Sequence, residues 1–305
     1  MNQLRIIFMG TPEFAVPSLE FLIENKYNVV AVITAANKPQ GRGQKVTLSP
    51  VKVCAMKYAI PVLQPTNLKA PEFLEELKSY QANLQVVVAF RMLPEVVWSM
   101  PSLGTFNLHA SLLPQYRGAA PINWSIINGE KETGVTTFFL KHEIDTGSII
   151  FQEREPIFEQ DDAGTLYERL MEKGGRLVLK TVKSIEGGDF PSLSQSEMQE
   201  AKHAPKIFKE TCEINWDQSN DKLRNFVRGL SPYPAAWTVL NGKTYKIYKI
   251  FPADYKKESR PGEIATDNKS YLYVRTADGW ISVDELQPEG KKKMSIQEFL
   301  RGNKI

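Results

Sequence analysis

The stretch LRIIFMGTPEFAVPSLEFLIENKYNVVAVIT, residues 4–34, predicts the fold of the first part of this 305-residue chain. It opens with a short apolar run that ends in Gly10 and closes with a second apolar run, NVVAVIT, at residues 28–34. Between the two runs, apolar residues recur on one side of a helix: Phe14, Leu19, Phe21 and Leu22. The order strand, turn, helix, strand is typical of a parallel α/β sheet with right-handed crossovers.

Further buried strands are predicted at LQVVVAF (84–90) and GTFNLHA (104–110), with helices at 71–80 and 93–99. This alternation persists to about residue 187. The first turn, MGTPEF, has one glycine where a dinucleotide-binding turn has G-x-G-x-x-G, and its proline removes an amide that would contact a pyrophosphate. The sequence therefore argues against NAD binding, and the P-loop pattern is absent as well.

The last hundred residues differ in pattern. A polar, Ser/Gln-rich stretch follows EGGDF (186–190) and is predicted to be a linker. After it come one amphipathic helix, DKLRNFVRGL, and short strands with alternating Tyr, Ile and Val, separated by Asn-Gly and Asp-Gly turns. We predict a domain over residues 1–189, a linker over 190–208 and a small β-barrel of the OB type over 209–305.

The composition is that of an ordinary globular protein, with 42% hydrophobic and 24% charged residues. The N-terminus lacks the features of a signal peptide, and no apolar run reaches membrane-spanning length, so we expect a cytoplasmic protein. Cys54 and Cys212 lie far apart and outside any Cys/His cluster, which predicts two reduced thiols and no zinc site.

Charge is distributed unevenly along the chain. Residues 1–204 carry 20 Lys and Arg against 22 Asp and Glu, whereas residues 205–305 carry 18 against 13, a net charge of +5. No acidic residue occurs between Glu24 and Glu72, although seven basic ones do: Lys26, Lys38, Arg42, Lys45, Lys52, Lys57 and Lys69. Such clustering suits a polyanionic partner as well as a solvated face.

Polar residues that could take part in catalysis lie at the end of one predicted strand. Asn107 and His109 are two residues apart in GTFNLHASLLP, so both side chains should point to the same face. In an open parallel sheet, ligands bind beyond the carboxyl ends of the strands, and an amide with an imidazole there can stabilise an oxyanion. Asp145, in the loop KHEIDTG, is a third candidate that would orient the imidazole and accept protons. Each of these residues could also serve only to satisfy loop amides. His142 and His203 are predicted to be surface histidines.

Several motifs together resemble the methionyl-tRNA formyltransferase family over nearly the whole chain. They are FMGTPEFAVPSL, NKPQGRGQKVTLSPVK, FNLHASLLPQYRGAAPINWSIINGE, GVTTFFLKHEIDTG, INW, RGLSPYPAAW and LQPEGKKKMSIQEFLRG. N-x-H, S-L-L-P and the later D-x-G are shared with the wider folate-dependent formyltransferases. The basic loop at residues 38–45 and the second domain restrict the resemblance to the methionyl-tRNA formyltransferase family. It implies a Rossmann-like formyltransferase domain followed by an OB-like tRNA-binding domain.

The resemblance implies transfer of a formyl group from 10-formyltetrahydrofolate to the α-amino group of methionine on initiator tRNA, without a metal. Asn107 and His109 would stabilise the tetrahedral oxyanion, and Asp145 would hold His109 and help to deprotonate the amine. The folate-contacting turn would be formed by Ser111, Leu112, Leu113 and Pro114, with exposed backbone groups that suit a flat pterin.

The resemblance also implies pterin contacts from Phe90 and Met92. The chain departs from the family at this point. The family commonly has VAYG, whereas this chain reads VAFRMLP at residues 88–94, with Arg91 in place of the glycine. On the RNA side, the basic loop would contact the acceptor end and the linker would contact phosphates, through Lys38, Arg42, Lys45, Lys206 and Lys209.

Two other functions remain open on the sequence. A folate-dependent formyltransferase acting on a small amine, such as an amino sugar nucleotide, would keep the chemistry and not need the basic loop. An RNA-binding module with an inert α/β partner would need no catalytic trio. We expect a monomer with no membrane partner.

Overall fold

The computed structural model describes residues 3–40, 45–142, 145–195 and 201–305. They form two compact units. The N-terminal unit comprises residues 1–117, 134–155 and 167–203, and the C-terminal unit comprises residues 118–133, 156–166 and 204–305. The division into 1–189, 190–208 and 209–305 follows the order of the chain and stays a prediction, whereas packing assigns 118–133 and 156–166 to the C-terminal unit.

The first strands are short, and those formed by the apolar runs, at residues 5–10, 28–33, 84–88 and 105–109, are mostly buried, as predicted. They are β1 (Arg5–Gly10), β2 (Asn28–Ile33), β3 (Lys38–Gln40), β4 (Lys45–Thr47), β5 (Val62–Leu63), β6 (Leu84–Val88), β7 (Thr105–His109), β8 (Arg117–Gly118), β9 (Glu132–Phe139) and β10 (Ile149–Pro156). The helices among and after them are α1 (Val16–Glu24), α2 (Pro50–Lys57), α3 (Pro71–Ser79), α4 (Glu95–Trp98), α5 (Pro121–Ile127) and α6 (Ala163–Gly187). The strand-helix-strand prediction for residues 4–34 is confirmed by β1, α1 and β2.

The sheet of the N-terminal unit has the strand order β10-β9-β7-β6-β1-β2-β5. From β7 to β5 the neighbours pair in parallel, while β9 runs antiparallel to β7. The chain fills one side of β1 with β2 and β5 and then crosses to the other side with β6 and β7. The carboxyl ends of β1, β6 and β7 therefore lie along one edge, on and beside the reversal of strand order where ligands bind in such sheets.

The C-terminal unit is built on an antiparallel half-barrel, and α5 belongs to it as well. Its elements are α7 (Asn220–Leu230), β12 (Ala236–Leu240), β13 (Lys243–Ala253), β14 (Ile264–Thr266), β15 (Leu272–Arg275), β16 (Trp280–Pro288), β17 (Met294–Ser295) and α8 (Ile296–Gly302), preceded by β11 (His203–Ala204). The sheet order is β12-β13-β16-β15-β14, with β17 on β16. Register shifts in β13 around Lys249 mark bulges, which bend a strand and let a short sheet curl. The predicted small OB-like barrel is confirmed in this form.

Helix ends in this unit follow their sequence signals. Ser219 caps α7 by accepting a hydrogen bond from the backbone N–H of Lys222, and Ser295 with Glu298 forms a capping box on α8. The core beneath contains residues of both helices and of the sheet, including Leu223, Ile247 and Phe299.

Candidate active site at the carboxyl end of β7

The candidate site begins with the last residues of β7. Asn107 pairs with Val87 of β6 and Phe138 of β9, and His109, the last residue of the strand, pairs with Thr136. Residues two apart on a strand point to the same face, so the amide and the imidazole project together at the strand end.

His109 is buried and held between two acceptors. Its Nε2 lies 2.9 Å from the carbonyl oxygen of Tyr116, and its Nδ1 lies 3.9 Å from a carboxylate oxygen of Asp145. Since a carbonyl oxygen only accepts, Nε2 carries a hydrogen and Nδ1 faces the carboxylate. The ring is therefore oriented with one nitrogen toward a group that can share a proton.

Asn107 is half-buried, and its side chain makes no hydrogen bond to any residue that the structure describes. The Asn107 amide is not among the buried side-chain groups that lack a partner in the described part of the chain, so its polar atoms are open to solvent at the end of β7. This amide is thus placed to donate to a bound molecule at the end of β7.

Asp145 is held in place through its own backbone. Its φ is +57°, the left-handed region, and its side chain is 13% exposed. The side-chain amide nitrogen of Gln195 donates to the carbonyl oxygens of Asp145 (2.8 Å) and Gly147 (2.9 Å). The guanidinium of Arg117 in turn donates to the side-chain oxygen of Gln195. Gln195 therefore fixes the loop that carries the carboxylate.

Sequence reasoning missed Gln195, because it lies in the polar stretch predicted to be a linker. In that stretch Leu193 exchanges two backbone hydrogen bonds with Ile149 of β10, at 2.8 and 2.9 Å. An isolated leucine among polar residues was the one signal that this segment returns to the sheet.

The S-L-L-P turn packs against β9 and β10. The hydroxyl of Thr136 donates to the Ser111 carbonyl oxygen (2.6 Å) and accepts from the Leu113 N–H (3.2 Å), and Gln152 donates to the Leu113 carbonyl oxygen (2.8 Å). The expectation of exposed backbone groups was wrong at Ser111 and Leu113, because both residues are buried and buried peptide groups must be paired. Leu112 and Pro114 remain partly exposed.

A cleft of about 970 Å³ lies beside Met92, lined by residues 66–69 and 91–96. Met92 is 76% exposed. Arg91, the departure from the family pattern, lies over the ring of Phe90 and donates to the carbonyl oxygens of Thr66 (2.9 Å) and Pro65 (2.5 Å). Arg91 thus links the two segments that line the cleft by hydrogen bonds.

The basic residues lie in both units. Lys38 and Lys45 belong to the antiparallel pair β3–β4 of the N-terminal unit, and Arg42 lies outside the described residues. Lys206 and Lys209 are exposed in the C-terminal unit, each over an aromatic ring. His142 and His203 are exposed, as predicted.

A buried carboxylate away from the trio was not singled out from the sequence. Glu155, 7% exposed, accepts from Arg169 (2.7 Å) and Lys173 (2.9 Å), which are four residues apart on one face of α6. Burial by itself would raise the pKa of Glu155, but the hydrogen bonds and charges of the two cations together lower it. The i, i+4 basic pair was a usable signal that an acid packs against this helix.

Both cysteines are free thiols, as predicted, and both are buried. Burial raises the pKa of Cys54 to about 11 and also raises that of Cys212, so both stay protonated and poorly nucleophilic. Within the described part of the chain, no three His, Cys, Asp or Glu side chains come together as a metal site requires. The described helices include none with the length and apolar character of a membrane span.

Comparison with known proteins identifies the class to which this fold and site belong. The formyl transferase family model matches residues 4–182, and the model of the formyl transferase C-terminal domain matches residues 206–304. The chain therefore belongs to the formyl transferase family. Relatives of nearly equal length carry a more particular name, methionyl-tRNA formyltransferase: one from Bacteroides fragilis is 54% identical over 99% of this chain and 95% of its own, and one from Flavobacterium johnsoniae is 52% identical over 99% and 97%. The family that the sequence motifs indicated is confirmed.

Solved structures with lower identity share the fold. HypX from Aquifex aeolicus, in complex with tetrahydrofolic acid, superposes with a TM-score of 0.66 at 20% identity over 98% of this chain, which spans about half of the HypX chain (47%). WlaRD, a sugar 3N-formyl transferase solved in the presence of dTDP and 5-N-formyl-THF, gives a TM-score of 0.68 at 22% identity over 96% of this chain and all of its own. The predicted order of an α/β formyltransferase domain and an OB-like domain is confirmed.

Proposed function

We propose that this chain transfers the formyl group of 10-formyltetrahydrofolate to the α-amino group of methionine esterified to initiator tRNA, acting in the cytoplasm as a monomer. The observation that carries the proposal is the constellation at the end of β7: an Asn107 amide with no hydrogen-bond partner among the described residues, an oriented His109 ring and the Asp145 carboxylate 3.9 Å from that ring. Relatives named methionyl-tRNA formyltransferase at more than 50% identity support the RNA substrate over an amino sugar.

The residues have defined tasks in this reaction. The amine nitrogen attacks the formyl carbon, a C–N bond forms, and the carbonyl oxygen becomes an oxyanion. Asn107 donates a hydrogen bond to that oxygen, and His109 shares with it the Nε2 hydrogen that otherwise goes to the Tyr116 carbonyl oxygen. One full donor of this kind is worth about 2.7–4 kcal/mol in comparable sites. Asp145 takes up the proton that the amine loses, directly or through the His109 ring. Collapse of the intermediate breaks the bond to the folate nitrogen N10, which receives a proton, and the products are formylmethionyl-tRNA and tetrahydrofolate.

The donor would occupy the region around the S-L-L-P turn and the cleft beside Met92. Leu112 and Pro114 present partly exposed apolar surface there, and Leu113 packs on Phe138 and Ile149 below them. Leu140 packs against both this cluster and the core cluster against which Phe90 packs, so the two predicted pterin-contacting segments are joined by packing. Apolar surface of this kind suits the face of a pterin ring, and the polar residues that line the cleft can fix the orientation of the ring.

The test is single-turnover formylation of methionyl initiator tRNA with 10-formyltetrahydrofolate, comparing wild type with His109→Ala. We expect product with the wild type and a rate at least about a hundredfold lower with the variant, because one oxyanion donor and one proton-transfer group are lost together. If correctly folded wild-type protein left the tRNA unformylated under these conditions, the proposal would be refuted. Formylation of a small amine without formylation of tRNA would retain the chemistry and change the substrate.

A further inference from the structure

The carbonyl oxygen that orients His109 belongs to a residue in an unusual backbone conformation. Tyr116 is 4% exposed, and its carbonyl oxygen lies 2.9 Å from His109 Nε2. Its φ is +60°, in the left-handed region that a residue with a Cβ disfavours. A non-glycine residue stays in that region only where its surroundings hold it there. The position of the Tyr116 carbonyl oxygen therefore depends on contacts with other residues.

Backbone groups of Lys202 provide two of these contacts. The N–H of Tyr116 donates to the carbonyl oxygen of Lys202 (2.6 Å). The N–H of Lys202 donates in turn to the side-chain oxygen of Gln115 (2.9 Å), which precedes Tyr116 in the chain. The Gln115 side chain thus completes a pair of hydrogen bonds that fixes residues 115–116 against Lys202.

Gln115 is itself held by the S-L-L-P turn. Its backbone N–H donates to the carbonyl oxygen of Leu112 (3.0 Å), and its carbonyl oxygen accepts from the Ser111 hydroxyl (2.6 Å). Together with the side-chain bond to Lys202, these contacts engage three polar groups of one residue. Tyr116 therefore follows a residue whose own position is fixed.

The position of the Tyr116 carbonyl oxygen matters because it decides where His109 carries its hydrogen. A neutral imidazole has a hydrogen on one nitrogen only, so an acceptor at one nitrogen selects the tautomer. The carbonyl oxygen lies 2.9 Å from Nε2, whereas the Asp145 carboxylate lies 3.9 Å from Nδ1. If the carbonyl oxygen moved away, the carboxylate would draw the hydrogen to Nδ1. Nε2 would then present a lone pair, which repels an oxyanion.

We propose that Gln115 is a positioning residue of formyl transfer. By accepting the Lys202 N–H it holds the Tyr116 carbonyl oxygen at His109, and it thereby keeps the ring in the tautomer that can donate from Nε2. The task requires an acceptor oxygen at residue 115 and no charge. The kinetic part of this inference rests on the proposed function, whereas the tautomer of His109 can be measured without any reaction.

The experiment determines the tautomer by proton–nitrogen NMR of the full chain containing ¹⁵N-labelled histidine, at about pH 8, where an ordinary imidazole is neutral. The chain has three histidines. His142 and His203 are exposed, and the variants His142→Gln and His203→Gln identify their signals, so the remaining ring is that of His109.

Two substitutions of Gln115 separate the acceptor oxygen from the rest of the side chain. Gln115→Met keeps the length of the side chain and removes the acceptor, whereas Gln115→Glu keeps an acceptor oxygen and removes the amide NH₂ group. The matched control is Asn83→Leu. The side-chain oxygen of Asn83 also accepts a backbone N–H from a distant residue of the same unit, Arg5 (2.8 Å), but at the amino end of β1.

We expect a hydrogen on Nε2 in the wild type and in Asn83→Leu, and its transfer to Nδ1 in Gln115→Met. The single-turnover rate of formylation by Gln115→Met should fall about tenfold to a hundredfold, up to the cost of one lost oxyanion donor. The KM for the donor and the melting temperature should change little, because the net contribution of one hydrogen bond to stability is small. Gln115→Glu should recover the Nε2 hydrogen and most of the rate.

A hydrogen on Nδ1 in the wild type would overturn the inference without any variant. So would an unchanged ring or rate in Gln115→Met, an equal change in Asn83→Leu, or a Gln115→Glu protein that behaves like Gln115→Met. A raised KM for the donor at unchanged rate would also overturn it, since Gln115 would then act in donor binding. Failure of the proposed function is distinguishable, because it would appear as absent formylation by a wild type whose His109 still carries the Nε2 hydrogen.

Discussion

Replacing Asp145 with asparagine should reduce the rate of formyl transfer while leaving RNA affinity unchanged. The carboxylate lies 3.9 Å from His109 Nδ1, a distance at which two unit charges interact by about 4 kcal/mol at an effective dielectric constant of about 20. That energy corresponds to about a thousandfold in rate. The Asp145 side chain is 13% exposed, which weakens the interaction by screening, so we expect kcat to fall about a hundredfold to a thousandfold.

The assay is single-turnover formylation at saturating donor and RNA, accompanied by a direct measurement of RNA binding. Asparagine has nearly the shape of aspartate, so the variant removes charge with little change in packing. Asp189→Asn, which removes an exposed carboxylate of the same unit, is the matched control and should retain wild-type kcat. An increase in KM with kcat unchanged would refute the reasoning, since it would mean that the carboxylate acts in binding and not in the transition state.

Three further predictions follow from contacts of the N-terminal unit. Gln195→Ala removes two hydrogen bonds to the loop that carries Asp145, so kcat should fall about tenfold with the fold intact. Glu155→Gln should lower the free energy of unfolding by about 1–3 kcal/mol at pH 7. The pKa of Glu155 is lowered in the folded state, so this contribution is complete above its unfolded value and is lost as the pH falls; urea unfolding should show the two proteins converging below about pH 4. Arg91→Ala releases residues 65–66, so the KM for the folate donor should rise with kcat little changed.

Each of these predictions has an outcome that contradicts it. Unchanged kcat in Gln195→Ala would show that the Asp145 loop needs no support from the returning segment. A stability difference for Glu155→Gln that persists at low pH would assign the loss to packing and not to charge. For Arg91, the conservative Arg91→Lys should recover part of the donor affinity by restoring one donor to a carbonyl, and an unchanged KM in Arg91→Ala would remove the residue from any role at the donor site.

Much of the fold was determined by local patterns in the sequence. The two apolar runs within residues 4–34 and the runs at 84–90 and 104–110 correspond to strands of one sheet. A strand that is buried on both faces must be apolar along its whole length. The short strands of the half-barrel were predictable from their alternating pattern and from the Asn-Gly and Asp-Gly turns between them, because such dipeptides favour the tight turns of β-hairpins. Asn107 and His109 were also predictable as a pair, since their shared orientation depends only on the two-residue repeat of a strand.

Tertiary structure alone decided the contacts between residues distant in the chain. Asp145 approaches His109 from the connection between β9 and β10, and Gln195 supports that connection from 50 residues further on. Packing likewise assigned residues 118–133 and 156–166 to the C-terminal unit and paired the backbone of Leu113, which the sequence suggested was exposed. The physical reason is that strand and helix periodicities report only which face of an element is apolar. Where the chain returns, and which polar groups then satisfy one another, depends on the packing of the whole unit.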